Sequence, residues 1–169
     1  LTQRLASEKM QAKVVNASIS GDTTSGGRAR LAALLTQHAP RLVVIELGGN
    51  DALRGLPLTM TQDNLQAMAM AAKSAGATVM LLGMQVPPNY GPQYTAQFSR
   101  MFFQVAKSAS ADLVPFMLQG IADAHGLSAH LHGVCRGHGP GGGKSPLIAG
   151  LWFISMRRIV TNSSRRALR

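Results

Sequence analysis

Short apolar runs rich in β-branched residues alternate with segments of helical spacing through the first 125 residues. Runs such as Leu42 to Ile45 are continuously hydrophobic, which is typical of strands that are buried on both faces of a sheet. The pattern predicts four strands: Val14 to Ile19, Leu42 to Leu47, Thr78 to Met84 and Leu113 to Met117.

Between these runs, apolar residues recur every three or four positions, as they do on one face of an amphipathic helix. Leu31, Leu34 and Leu35 lie on such a face, and Pro40 ends that helix. The predicted helices are Arg28 to His38, Thr61 to about Gly76, and about Tyr94 to Ser108, with residues 1–11 as the end of an earlier helix. Strands that alternate with helices predict the α/β class, with a parallel sheet flanked by helices.

In sheets of this kind, ligands bind beyond the carboxyl ends of the strands. The loops in which to search for chemistry therefore begin near Ser20, Gly48 and Gln85. Two of these loops contain Gly21 and Asn50, and a glycine N–H together with an asparagine carboxamide can donate hydrogen bonds to an oxyanion. Glycine, asparagine and aspartate are also ordinary turn residues, so residue types alone leave both interpretations open.

The first 125 residues and the rest of the chain differ in their content of charged residues. The sequence has 17 Lys and Arg against 7 Asp and Glu, and all seven acidic residues precede Gly126. Residues 126–169 hold seven of the basic residues and are rich in glycine. We therefore expect residues 1–125 to form the α/β domain and residues 126–169 to be a basic, irregular tail.

Composition excludes several classes of protein. A single cysteine cannot form an internal disulfide framework or a cysteine-rich zinc site. No apolar run approaches the roughly 18 to 20 residues that a spanning helix needs, so no integral membrane segment is expected. A hydrophobic content of 46% is too high for a wholly disordered chain.

Three segments resemble the SGNH, or GDSL-type, hydrolases. They are Val14 to Thr23 (VVNASISGDT), Val44 to Gly55 (VIELGGNDALRG) and Pro87 to Gly91 (PPNYG). Within the family, the likeness is to the bacterial thioesterase I, lysophospholipase L1 and arylesterase group, and it covers about residues 1–122. The Gly-Gly-Asn-Asp stretch at a strand end is its most specific element.

The resemblance implies a flavodoxin-like, three-layer α/β/α fold and hydrolysis of acyl esters and thioesters through a Ser-His-Asp triad, without a cofactor or a metal. It implies that the Gly21 N–H and the Asn50 carboxamide belong to the oxyanion hole. It also implies a substrate pocket that includes Asp51, Pro87, Asn89 and Tyr90. The expected substrates are small acyl esters, thioesters or lysophospholipids, and the expected location is the periplasm or the medium outside the cell.

Two catalytic blocks of the family are missing from the sequence. The nucleophile block, Gly-Asp-Ser-Leu after the first strand, would lie upstream of Leu1, and neither Ser20 nor Thr23 is expected to replace its serine. That strand is interior in the strand order 2-1-3-4-5. Its absence would therefore separate the strands at Val14 and Leu42 or make them pair directly.

The family's last block, Asp-x-x-His, is also absent. His125 follows Asp123 by two positions, whereas His138 is at about the right distance but has no carboxylate nearby. His138 is therefore the remaining candidate for a catalytic histidine, and we expect this chain to be an inactive fragment. The likeness ends abruptly near Gly126, as translation in a shifted reading frame or a foreign junction would cause, although a genuine basic extension would look similar.

The tail contains residue types that suggest other functions. Gly137 to Ser145 resembles a phosphate-binding loop, but His138 stands where a glycine is required. Four residues of the tail are of types that bind zinc: His130, His132, Cys135 and His138. No regular element arranges them, so no metal site is expected. The alternative functions are acyl binding without catalysis and association with nucleic acid through residues 126–169. No aromatic residue is interleaved with the last four arginines, so specific nucleic-acid binding is not expected.

Overall fold

The computed structural model describes residues 2–10, 12–116 and 159–161 of the 169-residue chain. The elements in chain order are α1 (Thr2–Ser7), β1 (Lys13–Val15), α2 (Thr24–His38), β2 (Leu42–Ile45), α3 (Gly49–Leu53), α4 (Leu58–Ser74), β3 (Thr78–Leu82), a 3-10 helix (Pro88–Tyr90), α5 (Pro92–Ala109), β4 (Asp112–Val114) and β5 (Ile159–Thr161). Strands therefore alternate with helices, as the apolar pattern predicts.

These strands form one sheet in the order β1-β5-β2-β3-β4. β2, β3 and β4 run parallel, with Val43 opposite Val79 and Leu81 opposite Leu113. β1 points in the same direction as β2, because both strands are antiparallel to β5. The four strands predicted from the apolar runs thus share one direction, which confirms the predicted α/β fold.

β5 lies where the missing first strand was expected to leave a gap. Its Val160 is opposite both Val14 of β1 and Leu42 of β2, so β1 and β2 stay one strand apart and do not pair directly. An antiparallel strand can fill this gap because the facing edges of β1 and β2 present backbone donors and acceptors that an extended segment satisfies. This short strand differs from the irregular structure expected for the tail.

Three helices lie side by side on the sheet. α4 lies between α2 and α5 and packs against β2 and β3, while α5 packs against β4. Val79 and Leu81 of β3 are buried, but Met80 and Leu82 are only half-buried, so the expected burial of both faces does not hold for β3. The largest fully buried side chains are Phe98, Leu31, Ile45, Leu47, Leu65, Met68, Leu81, Met101, Val43 and Val79. Among the helices that the structure describes, none is both long enough and apolar enough to cross a bilayer.

α2 begins earlier than its apolar face predicts, because Thr23 caps it. Thr23 Oγ1 accepts a hydrogen bond from the Gly26 N–H at 3.4 Å, which satisfies one of the free amides of the first turn. The helix ends at His38, where Ala39 adopts a left-handed conformation and Pro40 follows. Eight residues connect the end of β1 to the start of α2.

Two local features differ from the sequence predictions. β1 ends at Val15 and not at Ile19, because the Asn16 side chain accepts hydrogen bonds from the backbone N–H and the hydroxyl of Ser18 and so starts a turn. The apolar pattern predicts no helix directly after β2, but Gly49–Leu53 form α3, a helix of five residues. Its glycine, asparagine and aspartate have weak helix propensity, so its contacts with the neighbouring turn must stabilise it.

Candidate active site

The turn that follows β1 contacts the helix that follows β2. Asn50, on α3, donates a hydrogen bond from Nδ2 to the backbone carbonyl of Asp22 at 2.9 Å. Gly21 immediately precedes Asp22 and has a φ of 76°, a conformation that a glycine adopts without strain. The structure therefore brings the Gly21 turn and the Asn50 carboxamide together at the carboxyl edge of the sheet.

The hydrogen bond to Asp22 uses one of the two N–H groups on the Asn50 carboxamide. Asn50 and Gly21 are both half-buried, so each retains some access to a ligand. The second N–H of Asn50 has no partner among the described residues. A carboxamide that is held by one N–H and keeps the other available is suited to donate to a negatively charged oxygen.

An ion pair between Arg30 and Asp22 also holds this turn. Arg30 donates from Nε and Nη2 to Asp22 Oδ2 at 3.0 and 2.7 Å, and its Nη1 donates to the carbonyl of Ala17. Asp22 Oδ1 accepts the Thr23 N–H at 3.0 Å. The Asp22 side chain therefore bends back over the start of α2, while its carbonyl faces Asn50.

Asp51, predicted to border the substrate pocket, is fully buried. Its Oδ2 accepts the Thr24 N–H at 2.9 Å and its Oδ1 accepts the Thr24 hydroxyl at 2.5 Å. Thr61 Oγ1 lies 3.4 Å from the same Oδ1. Asp51 thus contacts protein groups on two helices, and sequence reasoning did not identify Thr24 or Thr61 as its partners.

The other predicted pocket residues lie in the loop after β3. Pro87 and Tyr90 are half-buried and Asn89 is exposed. The Tyr90 ring stacks on Tyr94 at a centroid distance of 5.7 Å, and this contact begins a row of aromatic rings along α5. The row continues from Tyr94 to Phe98 at 6.3 Å and from Phe98 to Phe102 at 5.4 Å.

The far end of this aromatic row lies beneath the turn that leads into α3. A Cβ placed on Gly48 would be 3.6 Å from Phe102 Cζ and 3.9 Å from Phe98 Cε2. The row therefore connects the loop of Tyr90 to the turn that carries Asn50. The Tyr90 loop and the turn at Gly48 thus contact opposite ends of the same row of rings.

The hydroxyls near Gly21 already have structural roles. Thr23 Oγ1 caps α2, and the Ser18 hydroxyl donates to Asn16 Oδ1 at 2.5 Å. His38 is the one histidine within the described residues, and it ends α2, a helix about 20 Å long that starts beside the turn. The Thr23 hydroxyl therefore serves as the cap of α2.

Several residues singled out in the sequence lie outside the described residues. They are the candidate histidine His138, the zinc-binding types His130, His132 and Cys135, and the glycine-rich segment from Gly137 to Ser145.

A sequence profile of one family matches most of the chain. The profile is that of the GDSL-like lipase/acylhydrolase family, and the match covers residues 1–138. The chain belongs to this family. Membership confirms the predicted resemblance and places the chain among the SGNH hydrolases, a family of carboxylic ester hydrolases.

Three similar proteins are named as esterases or as a thioesterase. Esterase TesA of Pseudomonas aeruginosa is 54% identical over 127 residues, which are 75% of this chain and 63% of that protein. The arylesterase of Vibrio mimicus is 46% identical over 64% of this chain and 54% of its own length. Thioesterase 1/protease 1/lysophospholipase L1 of Escherichia coli is 44% identical over 69% of this chain and 57% of its own length. The chain therefore spans between 54% and 63% of these relatives.

Solved structures of family members have the same fold. The crystal structure of TesA superposes with a TM-score of 0.71 at 54% identity, covering 74% of this chain and 69% of that one. The SGNH-hydrolase family esterase AlinE4 superposes with a TM-score of 0.69 at 36% identity, covering 74% and 67%. The superpositions agree with the predicted flavodoxin-like fold.

Tyr94 has a buried hydroxyl without a hydrogen-bond partner in the described part of the chain. Replacing Tyr94 by phenylalanine keeps the ring and removes the unpaired polar atom. At pH 7 we expect the Tyr94→Phe variant to be as stable as the parent or more stable, by up to about 1 kcal/mol. Urea unfolding measures this difference, and a loss above about 1 kcal/mol would show that the hydroxyl has a partner.

The same hydroxyl predicts a pH dependence. Burial raises the pKa of Tyr94, and the nearby Tyr90 and Asp51 raise it further. The folded chain therefore keeps this proton at a pH at which the unfolded chain, with a tyrosine pKa of about 10, has lost it. Above about pH 10 the free energy of unfolding should fall as the pH rises, and Tyr94→Phe should remove part of that fall.

Proposed function

We propose that the chain carries the oxyanion-binding half of an acyl hydrolase site that acts on acyl esters, thioesters or lysophospholipids. The observation that supports this role is the hydrogen bond from Asn50 Nδ2 to the carbonyl of Asp22, which joins the carboxamide to the residue after Gly21. Attack on an acyl carbonyl produces a tetrahedral intermediate with a negatively charged oxygen. Two fixed donors at this place stabilise that charge without having to reorient.

The start of α2 adds to the positive potential at this position. Gly21 lies three residues before Thr24, the first residue of the helix, where free N–H groups carry a partial positive charge. Arg54 lies on the same side, and its Nη2 donates to the Gly21 carbonyl at 3.0 Å. An anion at the Gly21 N–H is therefore favoured by a helix terminus and by a nearby guanidinium.

The acyl chain is proposed to lie along the loop after β3. Pro87 and Tyr90 offer half-buried apolar surface there, and Asn89 lies exposed between them. The aromatic row from Tyr90 to Phe102 supports this loop from below. Asp51 is proposed to border the same pocket, although its carboxylate is buried against Thr24.

In this proposal the polypeptide binds acyl compounds but does not turn them over alone. A complete reaction needs a serine to attack the carbonyl and a histidine to accept and return its proton. Loss of one oxyanion donor from a complete enzyme costs about a hundred- to a thousandfold in rate, whereas loss of the serine removes the acyl-enzyme route. We also propose export from the cytoplasm, to the periplasm or beyond, which is the location that the family resemblance implies.

The proposal is tested with octanoate, whose carboxylate represents the oxyanion and whose chain represents the acyl group. We expect saturable binding by isothermal titration calorimetry and no hydrolysis of p-nitrophenyl butyrate or octanoyl-CoA above the buffer rate. Asn50→Ala should weaken octanoate binding about tenfold, because it removes one donor to the carboxylate.

Gln97→Ala is the matched control, since it removes an exposed carboxamide from α5. It should leave octanoate binding unchanged. If the parent shows no saturable binding, or if Asn50→Ala and Gln97→Ala bind octanoate equally well, the proposed oxyanion role is wrong. Ester hydrolysis by the purified parent would overturn the proposal that the chain is inactive alone.

A further inference from the structure

Side chains at the beginning and end of α3 hold the turn from Gly21 to Thr24 at three points. Arg54 donates to the Gly21 carbonyl, Asn50 donates to the Asp22 carbonyl, and Asp51 accepts from Thr24. Arg54 is exposed and Asn50 is half-buried, whereas Asp51 has no exposed surface. Of the three contacts, the one through Asp51 is therefore the most shielded from water.

The Asp51 carboxylate is bound to both polar groups of one residue. Thr24 presents its backbone N–H to Oδ2 and its hydroxyl to Oδ1, so the carboxylate and Thr24 form a two-point contact. Thr24 is the first residue of α2, and its N–H has no partner within the helix. A carboxylate at this place also interacts favourably with the helix dipole, and hydrogen bonds to charged groups are about twice as strong as neutral ones.

Further hydrogen bonds fix this contact to α4. Asn64 donates from Nδ2 to Thr24 Oγ1 at 3.1 Å, and Arg28 donates from Nη1 to Asn64 Oδ1 at 3.1 Å. Thr61, one turn before Asn64, places its hydroxyl 3.4 Å from Asp51 Oδ1. The positions of Thr24 and Asp51 are therefore set by three helices and not by one turn.

Asp51 is adjacent to Asn50 in α3, and Thr24 lies three residues after Gly21. A rigid contact between Asp51 and Thr24 therefore limits how far the Asn50 carboxamide and the Gly21 N–H can move apart. We propose that Asp51 is a positioning residue for the oxyanion site, which it orders by joining α3 to the start of α2. This inference rests on the proposed function, because it assigns the two donors to one anion.

A purely structural role for Asp51 makes a different prediction. Any variant that leaves the buried groups of Thr24 unsatisfied should destabilise the protein, whatever its effect on the site. The test therefore needs a measurement that follows the two donors directly. The Asn50 side-chain Nδ2 signals and the Gly21 amide signal in a ¹⁵N–¹H correlation spectrum of the labelled chain provide it.

We expect Asp51→Asn to shift the Asn50 Nδ2 and Gly21 signals and to weaken octanoate binding about tenfold. The carboxamide has a single acceptor oxygen and cannot accept from the Thr24 N–H and hydroxyl in the same geometry. Thr24→Val should have a similar but smaller effect, because it removes the hydroxyl and keeps the N–H. Thr24→Ser should restore the parent's signals and affinity, because it keeps both groups.

Two controls separate positioning from loss of stability. Asp63→Asn removes an exposed carboxylate from α4 and should change neither the spectra nor the affinity. Val79→Ala truncates a buried side chain of β3, away from the turn, and should lower stability while leaving the Asn50 and Gly21 signals in place. If Asp51→Asn behaves like Val79→Ala, with lower stability but unshifted signals and unchanged affinity, the proposal is wrong.

The failure of this inference differs from the failure of the proposed function. If the parent does not bind octanoate, the acyl-binding proposal fails, but the Asn50 and Gly21 signals still report whether Asp51 orders the turn. Unshifted signals in Asp51→Asn overturn the positioning role even where octanoate binds.

Discussion

Replacing Phe98 by alanine is expected to lower the free energy of unfolding by about 3–5 kcal/mol. Phe98 is fully buried, and its ring contacts Phe102 edge-on at 5.4 Å and stacks on Tyr94 at 6.3 Å. Truncation removes both ring contacts and opens a cavity beneath Gly48, whose backbone lies directly over the Phe98 and Phe102 rings. Urea unfolding followed by far-ultraviolet circular dichroism measures the change.

Phe103→Ala provides the matched control on the same helix. Phe103 is 53% exposed, so removal of its ring leaves no buried cavity and should cost less than about 1 kcal/mol. Equal losses for the two variants would show that α5 does not pack on the sheet through the face that contains Phe98.

The buried helix faces could be predicted from the sequence because amphipathic spacing follows directly from packing on one side. Leu31, Leu34 and Leu35 of α2 were expected to lie on one inward face; Leu31 and Leu35 are buried and Leu34 is half-buried. Met68 and Ala72 of α4 and Phe98 of α5 follow the same helical spacing and are also buried. These elements are long, and the period of their apolar residues is repeated enough times to identify them.

The short elements could not be predicted in this way. α3 has five residues, too few for a periodic pattern, and its polar residues are held by contacts with a turn that lies 27 or 28 positions away in sequence. β5 pairs residues 159–161 with β1 and β2, which are more than 100 residues earlier. Such pairings depend on which backbone edges remain open after the rest of the sheet has formed, and local residue patterns carry no information about this.

The candidate site was partly predictable. The carboxyl ends of parallel strands share one edge of a sheet, so Gly21 and Asn50 were expected near each other before any distance was known. The family resemblance assigned Asp51 to the substrate pocket and gave no indication that its carboxylate is fully buried against Thr24. Thr61 and Asn64 did carry a signal, since they are polar residues on the otherwise apolar inner face of α4. Polar side chains at such positions indicate a buried partner, which here is the Asp51–Thr24 pair.

Gly83 allows the ends of β3 and β4 to lie close together. The proposed pocket loop follows β3 at this point. The Gly83 N–H donates to the Val114 carbonyl at 2.8 Å, directly after the last residue of β3. A Cβ at Gly83 would lie 2.3 Å from the carbonyl oxygen of Pro115, which is a backbone atom and cannot rotate away. Gly83→Ala is therefore expected to separate the two strand ends and to lower the free energy of unfolding by about 2–3 kcal/mol.

Gly76 separates this steric effect from a conformational one. A Cβ at Gly76 would meet no atom within 4 Å, but its φ of 83° is strained for a residue with a side chain. Gly76→Ala should therefore cost about 1 kcal/mol, and Gly76→Asn should cost less, because asparagine tolerates left-handed backbone. Gly83→Asn should gain no such relief and should be at least as destabilised as Gly83→Ala, since its Cβ meets the same carbonyl. Urea unfolding of the four variants tests this. The contradicting outcome would be a Gly83→Asn variant that is more stable than Gly83→Ala by as much as Gly76→Asn is more stable than Gly76→Ala. In that case backbone strain, and not contact with Pro115, is the reason for a glycine at position 83.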